Sequence, residues 1–256
     1  MVWEPTAYLA YNDERSLPTR DLINAVRTTR PSSIVDLGCG TGNSTALLRE
    51  QWPDADLTGV DSSFEMLEQA RRSPIDARWE TADIEDWTPS SPVDLIFSNA
   101  ALHWLNHHEE LLPRLAALLS HDGALAIQMP SNFHRPSHTA IIEVASRVRW
   151  KSKLERLLRP QPVSPPERYL DILGEHVRQI RVWTTTYVHV LHGEHAVANW
   201  TGGATLRPIL GALGDEGADF LAEYQTMLSE AYPRRDDGTT LFDFTRLFIV
   251  ASNRVS

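Results

Sequence analysis

The sequence predicts an α/β fold: a mostly parallel seven-stranded sheet with helices on both faces and further helices inserted late in the chain. Three observations carry the prediction. Strand-like and helix-like patterns alternate through the first half, as a parallel sheet with crossover helices requires. The run Ile34-Val35-Asp36-Leu37-Gly38-Cys39-Gly40-Thr41-Gly42 reads as a strand, a tight turn and a helix start. Successive strands then carry an acid at or near their ends, at Asp36, Asp61 and Asp83.

In chain order, apolar and β-branched runs place strands at 33–37, 56–61, 78–82, 93–98 and 124–129. Helical periodicity fills the gaps at 19–26, 43–51, 64–72 and 109–119, with Ser63 as the cap of the third. Asp122-Gly123 reads as a turn into the fifth strand. After Met129-Pro130 the alternation loosens. A helix is expected over 137–150, with Val148 among its apolar positions, and a shorter one over 169–175. Between them, Pro160, Pro162, Pro165 and Pro166 make a stiff bend that no helix crosses. Residues 177–191 have the β-branched content of a long strand. Helices follow over 194–213, broken near Gly202-Gly203, and over 217–232, before a closing strand at 247–251. The sequence therefore divides into a core of about residues 30–132, joined by strands near 177–191 and 247–251, and a helical cap of about 133–176 and 192–244.

Composition narrows the functional classes. The 256 residues are 42% hydrophobic and 23% charged, ordinary for a folded globular chain. A formal net charge of −10 argues against nonspecific binding of nucleic acid or of an anionic membrane. One cysteine excludes an internal disulfide and suits a reducing compartment. The amino terminus lacks a basic segment followed by an apolar run, so a cytoplasmic protein is expected, with no membrane partner.

The glycine turn is informative through its spacing. A dinucleotide fingerprint, G-x-G-x-x-G, would place its third glycine where Asn43 stands. The pattern here is D-x-G-x-G-x-G, which resembles the first motif of Rossmann-like class I S-adenosylmethionine-dependent methyltransferases. Asp61 follows Asp36 by 25 positions and can accept from both hydroxyls of a ribose. The resemblance implies S-adenosylmethionine as cofactor. It assigns binding to Asp36, Gly38, Cys39, Gly40 and Asn43 in the turn, to Asp61 and Ser62, to Asp83 and Ile84 at the adenine, and to Asn99 and Ala100 near the methyl group.

The flanking motifs are more specific. Asn99-Ala100-Ala101-Leu102-His103-Trp104, Gln128-Met129-Pro130-Ser131-Asn132, Val182-Trp183-Thr184-Thr185-Thr186-Tyr187, Leu206-Arg207-Pro208 and Arg246-Leu247-Phe248-Ile249-Val250-Ala251 resemble the trans-aconitate 2-methyltransferase family over nearly the full length. The chain departs from the family pattern at Thr41, His103, Ser131, Ala204-Thr205 and Thr245. The resemblance implies methyl esterification of a small carboxylic acid, with another small-molecule acid or a hydroxyl acceptor as the alternative. A carboxylate with a pKa of about 4 is already ionised at neutral pH, so no general base is expected. Catalysis would rest on proximity and exclusion of water.

Candidates for holding a polyanionic acid are Arg207 and Arg246, with Tyr187 and Tyr11 as hydroxyl donors and Trp104 and His103 near the fourth strand end. Each has a plainer reading: Arg207 as a surface arginine, Arg246 as a solvated strand start, Tyr187 as a core or edge aromatic. His103, His107 and His108 invite a metal, but no HExxH or cysteine pair accompanies them, and no metal is expected. A nicotinamide oxidoreductase fits the glycine spacing poorly. A nucleic-acid methyltransferase would carry an Asn/Asp-Pro-Pro-aromatic motif where Ser98-Asn99-Ala100-Ala101 stands.

Overall fold

The protein was analysed as a computed structural model, which describes residues 12–26, 30–202 and 205–254. It divides into two compact units. Among the described residues, one comprises 12–130, 164–185 and 246–254; the other comprises 131–163 and 186–245.

The first unit is built on the sheet. Helix α1 (Asn12–Ala25) precedes β1 (Ser33–Leu37), α2 (Asn43–Gln51), β2 (Asp56–Asp61), α3 (Phe64–Arg72), β3 (Arg78–Thr81) and β4 (Val93–Asn99). A 3-10 turn (Leu102–Trp104), α4 (His108–Ala117) and β5 (Leu119–Pro130) follow. Helix α7 (Pro166–Leu173) belongs here and packs on α4. Strand β6 (Val177–His192) and strand β7 (Thr239–Arg254) each continue into the other unit.

The seven strands run in the order β3-β2-β1-β4-β5-β7-β6. β1 pairs with β2 and β4, β2 with β3 and β4 with β5 in parallel, whereas β5 and β7 are antiparallel. Central strands bury apolar side chains on both faces: Ile34, Leu37, Leu95, Ile96, Phe97, Leu125 and Ile127 are essentially inaccessible. That is the sequence signature of strands covered on both faces. Strand order reverses between β1 and β4, the place where an open α/β sheet leaves a crevice at its carboxyl edge.

The amino edge is held by one carboxylate. Asp94 Oδ2 accepts from the Ser32 amide at 2.9 Å and the Ser32 hydroxyl at 2.6 Å, and Oδ1 accepts from the Ser120 hydroxyl at 2.7 Å. This fastens β1, β4 and β5 together.

The second unit contains α5 (Pro136–Ala145), α6 (Lys151–Leu154), α8 (Ala196–Gly202), α9 (Arg207–Leu213) and α10 (Gly217–Ala231). Its core is aromatic: Trp150 meets Phe220 edge-on, and His189, Trp200, Phe242 and Phe244 form a cluster. The Tyr224 hydroxyl donates to the Ser137 carbonyl at 2.7 Å and lies 2.9 Å from the Thr201 hydroxyl. On its surface, Arg147, Arg149 and Lys153 pair with Glu223, Asp219 and Glu216.

Several element boundaries differ from the sequence reading. α1 runs through Pro18, whereas periodicity begins only beyond it. α5 stops at Ala145, and Val148 is 97% exposed rather than apolar lining. β5 begins at Leu119 because Asp122-Gly123 forms an irregularity within the strand, where the register shifts between Val93 and Leu95. β7 begins at Thr239, eight residues before its apolar run. The predicted break at Gly202 separates α8 from α9. Among the described residues, no helix is long and apolar enough to cross a membrane.

Burial alone raises the Asp94 carboxyl, but its hydrogen bonds from Ser32, Ser120 and Ser33 more than offset this and hold it below the usual 3.8. A group depressed in the folded state stabilises fully above its unfolded value and loses that contribution as pH falls through the folded value. Asp94→Ala should therefore lower unfolding free energy by about 1 kcal/mol at pH 7, the low end for bonds to a half-exposed charge. In urea titrations the gap from the parent should narrow as pH falls below 3.8.

Candidate active site

The carboxyl edge of the first unit gathers the glycine turn, the acids and the fourth strand end. Gly38 and Cys39 amides both donate to the Val60 carbonyl, at 2.8 and 3.0 Å. That locks the turn after β1 to the end of β2. Gly38 has φ +74°, and a Cβ there would overlap the Ala101 side chain. Gly42, at φ +90°, opens α2 beneath the Trp79 ring, 2.9 Å from where a Cβ would stand. Both positions need glycine for conformation and for space. Gly40 has nothing within 4 Å of a would-be Cβ, so this side of the turn is open to a ligand.

Asp61, half-buried at the end of β2, accepts from the Gly40 amide at 2.9 Å through Oδ2 and from the Ser63 amide at 2.8 Å through Oδ1. Each carboxylate oxygen retains acceptor capacity after one hydrogen bond. Ser63 caps α3, accepting from the Met66 amide at 3.3 Å.

Asp36 is wholly buried. Its Oδ2 accepts from the Thr45 hydroxyl at 2.7 Å, while Oδ1 has no hydrogen-bond partner. Desolvation pushes its pKa up to about 7; Thr45 opposes the shift and the Asp61 charge adds to it. Asn99 donates to the Ser44 hydroxyl at 3.4 Å, and its Oδ1 is also enclosed and unpartnered. Ala100 adopts φ +54° and donates its amide to the Gln128 carbonyl at 2.9 Å. Burial, with the Asp36 and Asp61 charges behind it, drives the Cys39 thiol well above its usual range. Cys39 is thus a neutral packed residue facing Gly59, not a nucleophile.

The turn after β3 completes the edge. Ile84 is buried, 3.5 Å from a would-be Gly38 Cβ, and Asp83 is exposed, accepting from the Glu85 amide at 2.9 Å. Asn43 and Ser62 are exposed at the starts of α2 and α3. All eleven cofactor candidates therefore border the carboxyl ends of β1 to β4.

The acid-binding candidates are dispersed. Arg246 is buried on β7 in the first unit, opposite Pro130 at the end of β5. It is not the solvated strand start of the plainer reading. His103 is buried and Trp104 half-exposed, their rings 4.7 Å apart. Arg207, exposed at the start of α9, and Tyr187 lie in the second unit. Tyr11 and Ala204 fall outside the described residues. The three histidines do not converge: His107 is exposed beside Glu109, and His108 is buried in a chain of its own. In that chain Tyr169 OH accepts from the Ser164 amide at 3.1 Å and lies 3.0 Å from His108 Nδ1; His108 Nε2 lies 2.9 Å from the Leu102 carbonyl. A carbonyl only accepts, so Nε2 carries the proton, and the chain fixes the turn that bears His103 and Trp104.

Sequence reasoning missed the supporting residues. Ser44 and Thr45 are hydroxyls on the first turn after the glycines, and this was a readable signal. Arg114 donates to the Trp87 carbonyl at 2.7 Å and also to the Ile84 carbonyl, pinning the turn after β3. Nothing in its spacing announces that role.

Comparison with known proteins agrees with this geometry. A family model described as a methyltransferase domain matches residues 34–123. A trans-aconitate 2-methyltransferase of Azoarcus sp. is 45% identical over 97% of this chain and 98% of its own length. Those of Rhodococcus jostii and an Escherichia coli strain are each 43% identical, over 98% and 97% of this chain and 99% and 97% of theirs. Among solved structures, the YcgJ protein of a Bacillus aligns with a TM-score of 0.58 at 16% identity, over 93% of this chain and 98% of that one. The plantazolicin methyltransferase BpumL, solved with SAH, aligns with a TM-score of 0.51 at 19% identity, over 97% and 86%. At such identities the structures support the fold.

Between the ordinary 3.8 and about 7, folded Asp36 holds a proton that the unfolded chain has released. Stability from this group therefore falls as pH rises across that window and levels off above it. Asp36→Asn, which keeps an acceptor for Thr45, should flatten the decline in melting temperature between the ordinary 3.8 and about 7. An unchanged slope in differential scanning calorimetry would show that Asp36 is ionised throughout.

Proposed function

The chain belongs to the trans-aconitate 2-methyltransferase family, and from that premise we propose that it methyl-esterifies a carboxylate of a small polycarboxylic acid, trans-aconitate foremost. The observation that carries the reading is the relatives' match over 97% of the chain, well beyond the generic domain at 34–123. S-adenosylmethionine is the cofactor; bound, it supplies an electrophilic methyl group on a sulfonium.

The residues present suit that group. Asp61, oriented by the Gly40 and Ser63 amides, offers acceptors to the two ribose hydroxyls. Ile84 would flank the adenine, and Asp83 would accept from its exocyclic amine. The unpartnered oxygens of Asp36 and Asn99 are acceptors suited to the ammonium of the methionyl arm. Backbone at Gly38, Cys39 and Gly40 would border the cofactor, with Ser62, Asn43 and Ala100 at its margins.

The acceptor carboxylate arrives ionised, so no residue need remove a proton from it. The protein's contribution is to hold that oxygen in line with the methyl carbon and to exclude water. A polyanion must also find cations within a chain of net charge −10. Arg246, buried at the carboxyl edge, is the foremost, since a guanidinium matches a carboxylate fork. The family resemblance also nominates Arg207, Tyr187, Tyr11, His103 and Trp104 as residues toward the acid.

Purified protein should release S-adenosylhomocysteine with trans-aconitate when challenged with a panel of di- and tricarboxylates; release with none of them would remove the reading. Arg246→Ala should cut kcat/KM for the tricarboxylate at least about thirtyfold, the equivalent of about 2 kcal/mol for losing one member of a buried charge pair. Arg207→Ala should act in the same direction, and both should leave cofactor affinity intact. Asp61→Ala should do the reverse, weakening cofactor binding by about 1.5–3 kcal/mol in titration calorimetry. An unchanged Kd there would take the ribose away from Asp61.

A further inference from the structure

Residues 124–130 of β5 are all buried, and all are apolar except Gln128. Its side chain is 0% exposed, and neither Nε2 nor Oε1 has a hydrogen-bond partner. An enclosed carboxamide in that condition is worse for the fold than an apolar side chain of the same size. Stability therefore does not account for glutamine at this position; a partner that binds would.

The register shows what kind of partner. Gln128 pairs with Asn99 on β4 and with Phe248 on β7, and directly paired residues project to the same face. Arg246 lies two residues from Phe248 on that face, opposite Pro130. It is a diagonal neighbour of Gln128, a relation that sets Cα atoms about 7–8 Å apart. Asp36 shares the face too, since it pairs with Phe97, two residues before Asn99. Along this edge, β1 and β4 present acceptor oxygens, whereas β5 and β7 present an amide and a guanidinium. The first pair suits an ammonium. The second suits a carboxylate.

We propose that Gln128 is a specificity-determining residue: its Nε2–H donates to a non-reacting carboxylate of the acceptor acid, beside Arg246. This rests on the carboxylate-methylation reading above. Because the carboxamide is closed to solvent, an acid reaches it only by displacing the side chains over it. Gln128 therefore senses an acid that is fully inserted and discriminates against one lacking a carboxylate at that point.

The test uses Gln128→Met, close in volume and apolar, and Gln128→Asn, which withdraws the amide by one methylene. Both should raise KM for trans-aconitate at least tenfold while kcat and the calorimetric Kd for S-adenosylhomocysteine stay within twofold. For an unsaturated dicarboxylate lacking one carboxylate, the rise should shrink below threefold. Gln128→Met should melt at or above the parent temperature, because it removes an unpartnered polar group; if it does not fold, Gln128→Asn decides. A KM within twofold of the parent overturns the proposal and leaves the functional reading standing. Loss of cofactor affinity with KM unchanged also overturns it, assigning the carboxamide to the cofactor. Should the parent turn over no polycarboxylate at all, the functional reading fails and this inference fails with it.

Discussion

The turn between β1 and α2 is the constraint on which the first unit depends. Four strand ends meet there: Gly38 and Cys39 donate to β2, Gly38 leaves room for Ala101 after β4, and Gly42 leaves room for Trp79 of β3. At Gly38 and Gly42 the contact requires a main chain without a Cβ, in a conformation that L-residues resist. Because the same glycines close the packing and expose the backbone, stability and ligand approach cannot be separated at this point. The Asp61 carboxylate extends the arrangement by joining Gly40 to the start of α3. It is thereby oriented before any ligand arrives.

Charge explains the next layer. Asp36 lies beneath the turn with one hydroxyl partner and one unpartnered oxygen, and burial lifts its pKa to about 7. A buried carboxyl under that strain is tolerated in a fold when function uses it. At the opposite edge, Asp94 is satisfied by serine donors and sits below its usual range. Two aspartates three strand residues apart in pairing register, at Asp36 and near Asp94, thus take opposite shifts. Hydrogen bonding outweighs burial in one and not in the other.

Much of this was legible in the sequence. The strands and the mostly parallel sheet followed from alternation, because hydrophobic period and turn chemistry are local properties; the strand order is set by long-range pairing. The glycine turn and the acids at Asp61 and Asp83 were legible for the same reason. What escaped was non-local. Arg114 grips carbonyls 27 and 30 residues upstream, and periodicity says nothing of such a reach. The long β7 was hidden because its first half, from Thr239, has no continuous apolar run. Pro18 concealed the start of α1, since a proline interrupts the pattern without ending the helix.

Arg246 and Gln128 mark the boundary between the two kinds of information. Read as a string, an arginine before Leu247 resembles a solvated strand start, and a glutamine among apolar residues is an anomaly without an address. The pairing of β5 with β7 places both on one face of the carboxyl edge, where each is buried. A chain of net charge −10 that buries a guanidinium and an unpartnered amide as diagonal neighbours on one face places two donor groups there. The acceptor's negative charge is the natural complement of those donors. On the same face, the acceptor oxygens of β1 and β4 would repel a carboxylate and attract an ammonium. Under the proposed function, that polarity would direct the cofactor's ammonium toward β1 and the acid toward β7. Between them, near Ala100, is where the methyl group and the attacking oxygen would have to meet.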